Sequence, residues 1–422
     1  MSHPVTFVSL RELVQCRSCR PASALVVVSI LPLAAAADTK APQAQYWVDV
    51  ATNNSSIPGM PGGLGGVVGS MMGMGGGPQQ SLNLWLYSRN AKPASPEATH
   101  DIPQVLNMGP TLPLLLPAVE KTAPSEEGGT PGKIEKPKAR MLFYWGCGEA
   151  VRPGQPKVAD TEKMSLVQFG QTMKGRSAPE RGPWGPGRAV WPNQQDNRPV
   201  PAGASLQGDH LVHGNYTPEI KFKLGQQQDF MAPVQLVAQG SPAESVRLEW
   251  QAIPTATGYF LMALGHRSAN GEMIVWTSSE VQDSGFGLMS YLPNDFVRKL
   301  ITEKVILPPS TQTCAIPKGI FEGSEGTMVR MIAYGEELNL AYPLRPADAK
   351  ANWEPIWTAK VRVKSEGMAF LGMGDAMMRH GGGSERDVTP PAGAPDPESG
   401  AGSRPVDPVK EGVDALKKLL PF

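Results

Sequence analysis

The sequence predicts an all-β protein, and three observations support that fold class. Glycine and proline number 46 and 42 of 422 residues, about twice the usual share, which disfavours long helices and favours short strands joined by turns. Apolar and polar residues alternate in several places with the period of two that a half-buried strand requires. The strongest group of such signals lies at 246–277.

Three strands are predicted within that stretch. Residues 246–250 alternate between apolar and charged side chains, and residues 259–264 form an apolar run typical of a strand covered on both faces. A third strand at 274–276 follows Asn270-Gly271, a dipeptide that supplies the positive φ angles of a tight hairpin. Together these strands predict an antiparallel sheet.

The same part of the chain resembles a fibronectin type III domain. The resemblance depends on Trp250, on Tyr259 nine residues later, and on a further strand at 327–333. It covers 234–366 and implies a two-sheet antiparallel sandwich in which Trp250 and Tyr259 are core residues. The chain departs from the family at 278–316, where the insertion is longer than a compact module carries.

The amino-terminal residues have the composition of a secretory signal peptide. Arg17 and Arg20 precede an apolar run at 24–33, and four alanines at 34–37 then provide small residues for cleavage. The apolar run is too short to span a bilayer comfortably. We therefore expect residues 1–37 to be removed on export, and the mature protein to be periplasmic or secreted, as a component of the cell envelope.

Two cysteines, Cys147 and Cys314, remain after that removal. In an oxidising compartment two such thiols most simply form one disulfide, which is the pairing we predict. The alternative is a reactive thiol at Cys147. No CxxC motif and no neighbouring histidine supports that alternative.

Composition and motifs limit the function classes. The 39 basic and 39 acidic side chains give zero formal charge, so the chain has no general attraction to nucleic acid, and nucleic acid is not predicted as a partner. The sequence contains no phosphate-binding loop, HExxH, GxSxG or dinucleotide fingerprint. No cofactor is predicted, and the sequence favours a non-enzymatic protein.

Residues 41–232 are predicted to form one β-rich region. Alternating strands at 45–52 and 81–88 flank a glycine- and methionine-rich insertion at 58–78. The insertion is interpreted as a flexible hairpin tip. A lesser alternative is Cu(I) binding through the thioethers of three methionines, Met71, Met72 and Met74.

A long loop at 174–208 contains Trp184 and Trp191 among glycine, proline, arginine and asparagine residues. Aromatic side chains on irregular polar backbone are one way in which proteins stack on sugar rings. The competing interpretation is that these tryptophans attach the loop to its own sheet. Both interpretations are kept.

The loop is followed by His210 and His213, which are weak candidates for a metal site. The segment after them, 219–224, alternates as a strand, and residues three apart point to opposite faces of a strand. We therefore expect the two imidazoles to diverge. A third zinc ligand at fixed spacing is not found.

The carboxy-terminal residues are predicted to be a low-complexity, disordered linker at 367–407, followed by a short amphipathic helix at 408–422. Such a helix on a tether is typical of a docking element for an envelope protein or a membrane surface. The residues that form its apolar face are Val409, Val413, Leu416 and Leu420.

Two functional hypotheses follow from the sequence. The first is a non-catalytic envelope protein with a binding, structural or adaptor role. The second is a secreted hydrolase or binding protein that acts on polysaccharide through the Trp184/Trp191 loop. A hydrolase would need a cleft in which Trp191 and His210 lie within a few ångströms of a carboxylate such as Asp209 or Glu219.

Overall fold

The computed structural model of the protein describes residues 40–54, 77–117, 140–179, 182–183, 186–348 and 351–371. Several predicted features lie outside these residues. They are the signal peptide, nearly all of the glycine- and methionine-rich insertion with Met71, Met72 and Met74, the residue Trp184, the predicted linker beyond residue 371, and the terminal helix with Val409, Val413, Leu416 and Leu420.

Within the described residues the structure consists mainly of strands, in agreement with the predicted all-β class. The strands are β1 (Ala44–Asn54), β2 (Gln79–Ser88), β3 (Ala98–Asp101), β4 (Thr111–Pro113), β5 (Arg140–Trp145), β6 (Lys157–Asp160), β7 (Arg188–Trp191), β8 (Gly208–Gly214), β9 (Ile220–Leu224), β10 (Val237–Gln239), β11 (Val246–Glu249), β12 (Gly258–Arg267), β13 (Glu272–Thr277), β14 (Thr313–Ile316), β15 (Glu325–Tyr342) and β16 (Trp357–Leu371). The helices are α1 (Leu166–Met173) and α2 (Asn294–Thr302), with 3-10 turns at Gln104–Leu106, Gln226–Gln228 and Phe286–Leu288.

The largest sheet has nine strands in the order β6-β5-β13-β12-β15-β16-β1-β2-β7. β1 lies parallel to β16, and β5 lies parallel to β13, whereas the other neighbours are antiparallel. Strands from both predicted regions, 41–232 and 234–366, therefore belong to one sheet. The predicted boundary does not separate two sheets, because segments of the first region pair with both edges of the β13-β12-β15-β16 group.

Two smaller sheets, β10-β11-β14 and β4-β3-β8-β9, contribute buried residues to the same core as one face of the large sheet. We call this the inner face. Trp250 and Tyr259 are both buried in that core, with ring centroids 5.7 Å apart. The three strands predicted at 246–277 divide between two sheets, because β11 pairs with β10 and β14 whereas β12 pairs with β13.

The predicted hairpin between β12 and β13 is present. Arg267 pairs with Glu272 across the turn, and Gly271 adopts a φ of 63°. A residue with a side chain rarely adopts that backbone conformation, so glycine is the residue expected at the last turn position.

The insertion at 278–316 has a structural role on the outer face of the large sheet. Its helix α2 begins after Pro293 and buries Val297 and Leu300. These side chains belong to a second apolar cluster that includes Phe260 and Tyr334 from the sheet. The insertion thus covers the part of the outer face formed by β5, β13, β12 and β15.

Cys147 and Cys314 form a disulfide, as predicted, with their Cα atoms 5.1 Å apart. Cys147 directly follows β5 of the large sheet, and Cys314 lies in β14 of the three-stranded sheet. The bond therefore joins the two layers covalently. In the part of the chain that the structure describes, no helix has the length and apolar character needed to cross a membrane.

Candidate functional site

The two predicted histidines diverge from strand β8. His210 points inward and is 2% exposed. The half-buried His213 lies on the other face, where its Nε2 is 3.1 Å from Oδ1 of Asp101. Period-two alternation along β8 accounts for the difference.

His210 belongs to a buried chain of hydrogen bonds that connects two sheets. The hydroxyl of Tyr46 in β1 lies 2.8 Å from Nδ1 of His100 in β3. His100 Nε2 lies 3.0 Å from His210 Nδ1, and His210 Nε2 lies 2.7 Å from the carbonyl oxygen of Leu206. Phe222 stacks on the His210 ring with centroids 5.0 Å apart. These hydrogen bonds form a polar contact inside an otherwise apolar layer.

Hydrogen-bond chemistry assigns the tautomers of both rings. The Leu206 carbonyl only accepts, so His210 Nε2 carries hydrogen and its Nδ1 accepts from His100 Nε2. His100 Nδ1 then accepts from the Tyr46 hydroxyl. Burial lowers the pKa of both imidazoles, well below the ordinary value for His100, which keeps the pair neutral. Every ring nitrogen of the pair is engaged, so neither ring is available as a general base.

The other residues of the predicted cleft are distributed over the surface and the core. Trp191 lies in β7 of the large sheet and is 1% exposed, so its ring is not presented to a ligand. Asp209 and Glu219 are exposed and face lysines, Lys223 at 4.0 Å and Lys221 at 2.6 Å respectively.

An open depression of about 560 Å³ lies over the four-stranded sheet beside these residues. Its acidic residues Asp101 and Asp209 are matched by Lys221 and Lys223, so its charged side chains give it no excess of either sign. Among the described residues, no group of three or more histidine, cysteine, aspartate or glutamate side chains is arranged to hold a metal ion.

A stronger candidate site lies on the outer face of β16, β1, β2 and β7, next to the part covered by the insertion. Cross-strand pairing places Trp47 opposite Trp85, Tyr87 opposite Arg188, and Lys360 beside Trp47. We call this surface the aromatic platform. Its members are Trp47, Trp85, Tyr87, Arg188, Lys360 and Arg362.

Arg362 is the most constrained cation of the aromatic platform. Its guanidinium lies between two rings, 4.8 Å from the centroid of Trp47 and 4.6 Å from that of Tyr291. It also donates two hydrogen bonds to Asp49, one of them 2.7 Å from Nε to Oδ1. Burial raises the pKa of the Asp49 carboxyl, while Arg362 acts in the opposite direction. This arrangement fixes one end of the platform.

Further ion pairs lie beside Arg362 on the same face. Glu337 pairs with Lys360, and Glu366 pairs with both Lys364 and Arg330. The carboxylate of Glu366 is therefore shared by two cations, and these side chains are only partly exposed.

The opposite end of the aromatic platform carries a second cation. Arg188 lies over the Tyr87 ring, with its Cζ 5.2 Å from the ring centroid. Its Nη1 atom is buried and has no hydrogen-bond partner, although the residue as a whole is half-buried. In the described part of the chain no ion pair involves Arg188.

Sequence reasoning identified β1 and β2 as strands but did not identify this site. The available signal was the alternation in both strands, which places Trp47 and Asp49 on one face of β1, and Trp85 and Tyr87 on one face of β2. The sequence did not show that β16 and β7 lie beside β1 and β2, because these strands come from distant parts of the chain.

Comparisons with protein-family models, with curated proteins and with solved structures give no significant match for this chain.

Proposed function

We propose that the protein is an exported, non-catalytic binding protein of the cell envelope, and that it holds a saccharide on the aromatic platform. The observation that carries this proposal is the position of half-buried Trp47, Trp85 and Tyr87 in two adjacent strands on the face opposite the core. Ring faces at regular strand spacing fit the apolar faces of sugars, and the flanking cations can bind polar substituents.

Two further observations support an exported, non-enzymatic protein. The disulfide between Cys147 and Cys314 is of the kind found in oxidising compartments. His100 and His210, the histidines most suited to catalysis by burial and proximity, are fully used in a structural contact between sheets.

We also propose that the strands β10 to β16 form a fibronectin type III-like sandwich. The sheet β10-β11-β14 shares a core with the strands β13-β12-β15-β16, and Trp250 and Tyr259 lie in that core, which supports this assignment. In this proposal the amino-terminal strands extend the sandwich, and the aromatic platform is formed where β1, β2 and β7 continue the sheet beyond β16.

Cosedimentation with insoluble envelope polysaccharide tests the binding function. The mature protein should sediment with the polysaccharide, and Tyr87→Ala should reduce the bound fraction. The matched control is Tyr342→Ala, which removes an exposed tyrosine stacked on Trp357, a residue of the inner face. Equal loss in both variants, or no sedimentation of the unmodified protein, would overturn the proposal. Release of soluble reducing ends would favour the hydrolase instead.

A further inference from the structure

The two ends of the aromatic platform carry cations, and only one end has a carboxylate for its guanidinium. Arg362 is paired with Asp49. Arg188 has its ring contact with Tyr87 and an unpaired buried nitrogen. A guanidinium with an unmet hydrogen-bond requirement is costly, and a carboxylate can satisfy it by accepting two parallel hydrogen bonds.

The spacing of these groups matches an extended ligand. β7 and β16 are three strand spacings apart in the sheet, about 14 Å. Tyr87, Trp85 and Trp47 lie on the two strands between them. A linear oligosaccharide of a few residues can cross this distance with its ring faces against the aromatic side chains.

We propose that the ligand of the aromatic platform is an acidic saccharide, with a uronate carboxylate bound by Arg188. This inference rests on the proposed function and names the ligand class for the same site. A carboxylate bound to the half-buried guanidinium would balance its charge and would bring an acceptor to a group that lacks one for Nη1. At the other end Lys364 and Arg330 share the single carboxylate of Glu366, which adds electrostatic attraction for an acidic ligand.

The decisive probes are a linear oligogalacturonate of four residues and its methyl ester, in which a methyl group on each carboxyl removes the negative charge and leaves the sugar rings unchanged. Calorimetry at low salt should show binding of the acid at least tenfold tighter than binding of the ester. Raising the salt concentration should weaken binding of the acid and leave the ester unchanged.

Variants of Arg188 locate the contact. Arg188→Gln should lower the affinity for the acid about tenfold or more and should lower the affinity for the ester by a smaller factor, and Arg188→Lys should retain part of the affinity for the acid. The matched control is Arg247→Gln, which removes an exposed arginine from β11 of the three-stranded sheet. Circular dichroism of each variant shows that the protein used for binding is folded. If Arg188→Gln does not fold, Arg188→Lys and the comparison of acid with ester still decide the question.

The outcomes separate this inference from the proposed function. Equal binding of acid and ester, or equal effects of Arg188→Gln and Arg247→Gln, would overturn the acidic ligand and leave saccharide binding in place. Binding of neither probe by a protein that still sediments with envelope polysaccharide would also overturn it. Absence of binding in both assays would overturn both proposals.

Discussion

His100 and His210 are joined by a hydrogen bond of 3.0 Å between two neutral rings buried between two sheets. The contact has a single direction, from the Tyr46 hydroxyl to the Leu206 carbonyl, because the terminal acceptor fixes each tautomer in turn. Addition of a proton to either ring replaces an acceptor with a donor and opposes this order.

Acid should therefore destabilise the protein through these rings. Both folded-state pKa values lie below the ordinary value of 6.5, so the unfolded state binds protons first as the pH falls. The contribution of these two rings to the free energy of unfolding should be fully present well above pH 6.5. It should decrease as the pH falls below 6.5, by at most about 1.4 kcal/mol per pH unit for each histidine. Urea unfolding between pH 8 and pH 5 measures the slope. A flat pH profile in the unmodified protein would contradict the expectation.

Removal of the Tyr46 hydroxyl should lower the free energy of unfolding more than removal of a hydroxyl on the outer face. Tyr46→Phe leaves His100 Nδ1 as a buried acceptor without its donor, for which we expect a loss of about 1–3 kcal/mol. The control Tyr87→Phe changes a half-buried residue on the outer face and should cost less than about 0.5 kcal/mol. Denaturant midpoints at pH 8 compare the two, and equal losses would show that the buried hydrogen bond contributes little.

Asp49→Asn should be strongly destabilising. The change leaves the buried guanidinium of Arg362 without its counter-charge, and breaking a pair of this kind costs about 3–5 kcal/mol. Glu249→Gln breaks the ion pair with Arg247, in which both side chains are well exposed, and should cost about 1 kcal/mol or less. Chemical denaturation of the two variants gives the difference. A small effect of Asp49→Asn would mean that Trp47 and Tyr291 alone compensate the charge.

Reduction of the Cys147–Cys314 disulfide should lower stability by about 2–5 kcal/mol, because the bond closes a loop across 167 positions and joins two layers. Unfolding with and without reductant measures the loss. The paired variant Cys147→Ala with Cys314→Ala should have the lower stability at once and should not respond to reductant. A response of that variant would place the effect elsewhere in the protein.

The sequence allowed prediction of those features that depend on neighbouring residues. Alternation located β1, β2 and β11, and Asn270-Gly271 located a hairpin, because side-chain period and turn geometry are local properties. The attachment of Trp191 to the sheet was one of the two interpretations that the sequence allowed, but its strand neighbour and the pairing of β1 with β16 were not predictable in this way. They depend on which distant strand becomes the neighbour, and a local pattern does not specify that choice.

The aromatic platform shows the same limit. Trp47 and Tyr87 were visible as strand residues, but Arg188 was part of what the sequence presented as a long loop. Only pairing of β7 with β2 brings Arg188 over the Tyr87 ring.

The parallel pairing of β1 with β16 also has a consequence for biogenesis. Asp49 and Arg362, which meet across these strands, are 313 positions apart. At a synthesis rate of 5–20 residues per second, β1 leaves the ribosome about 15 to 60 s before its partner exists. During that interval a strand with one apolar face and an unpaired edge is exposed to other chains. We therefore expect the chain to benefit from a chaperone that shields β1 until β16 has been synthesised.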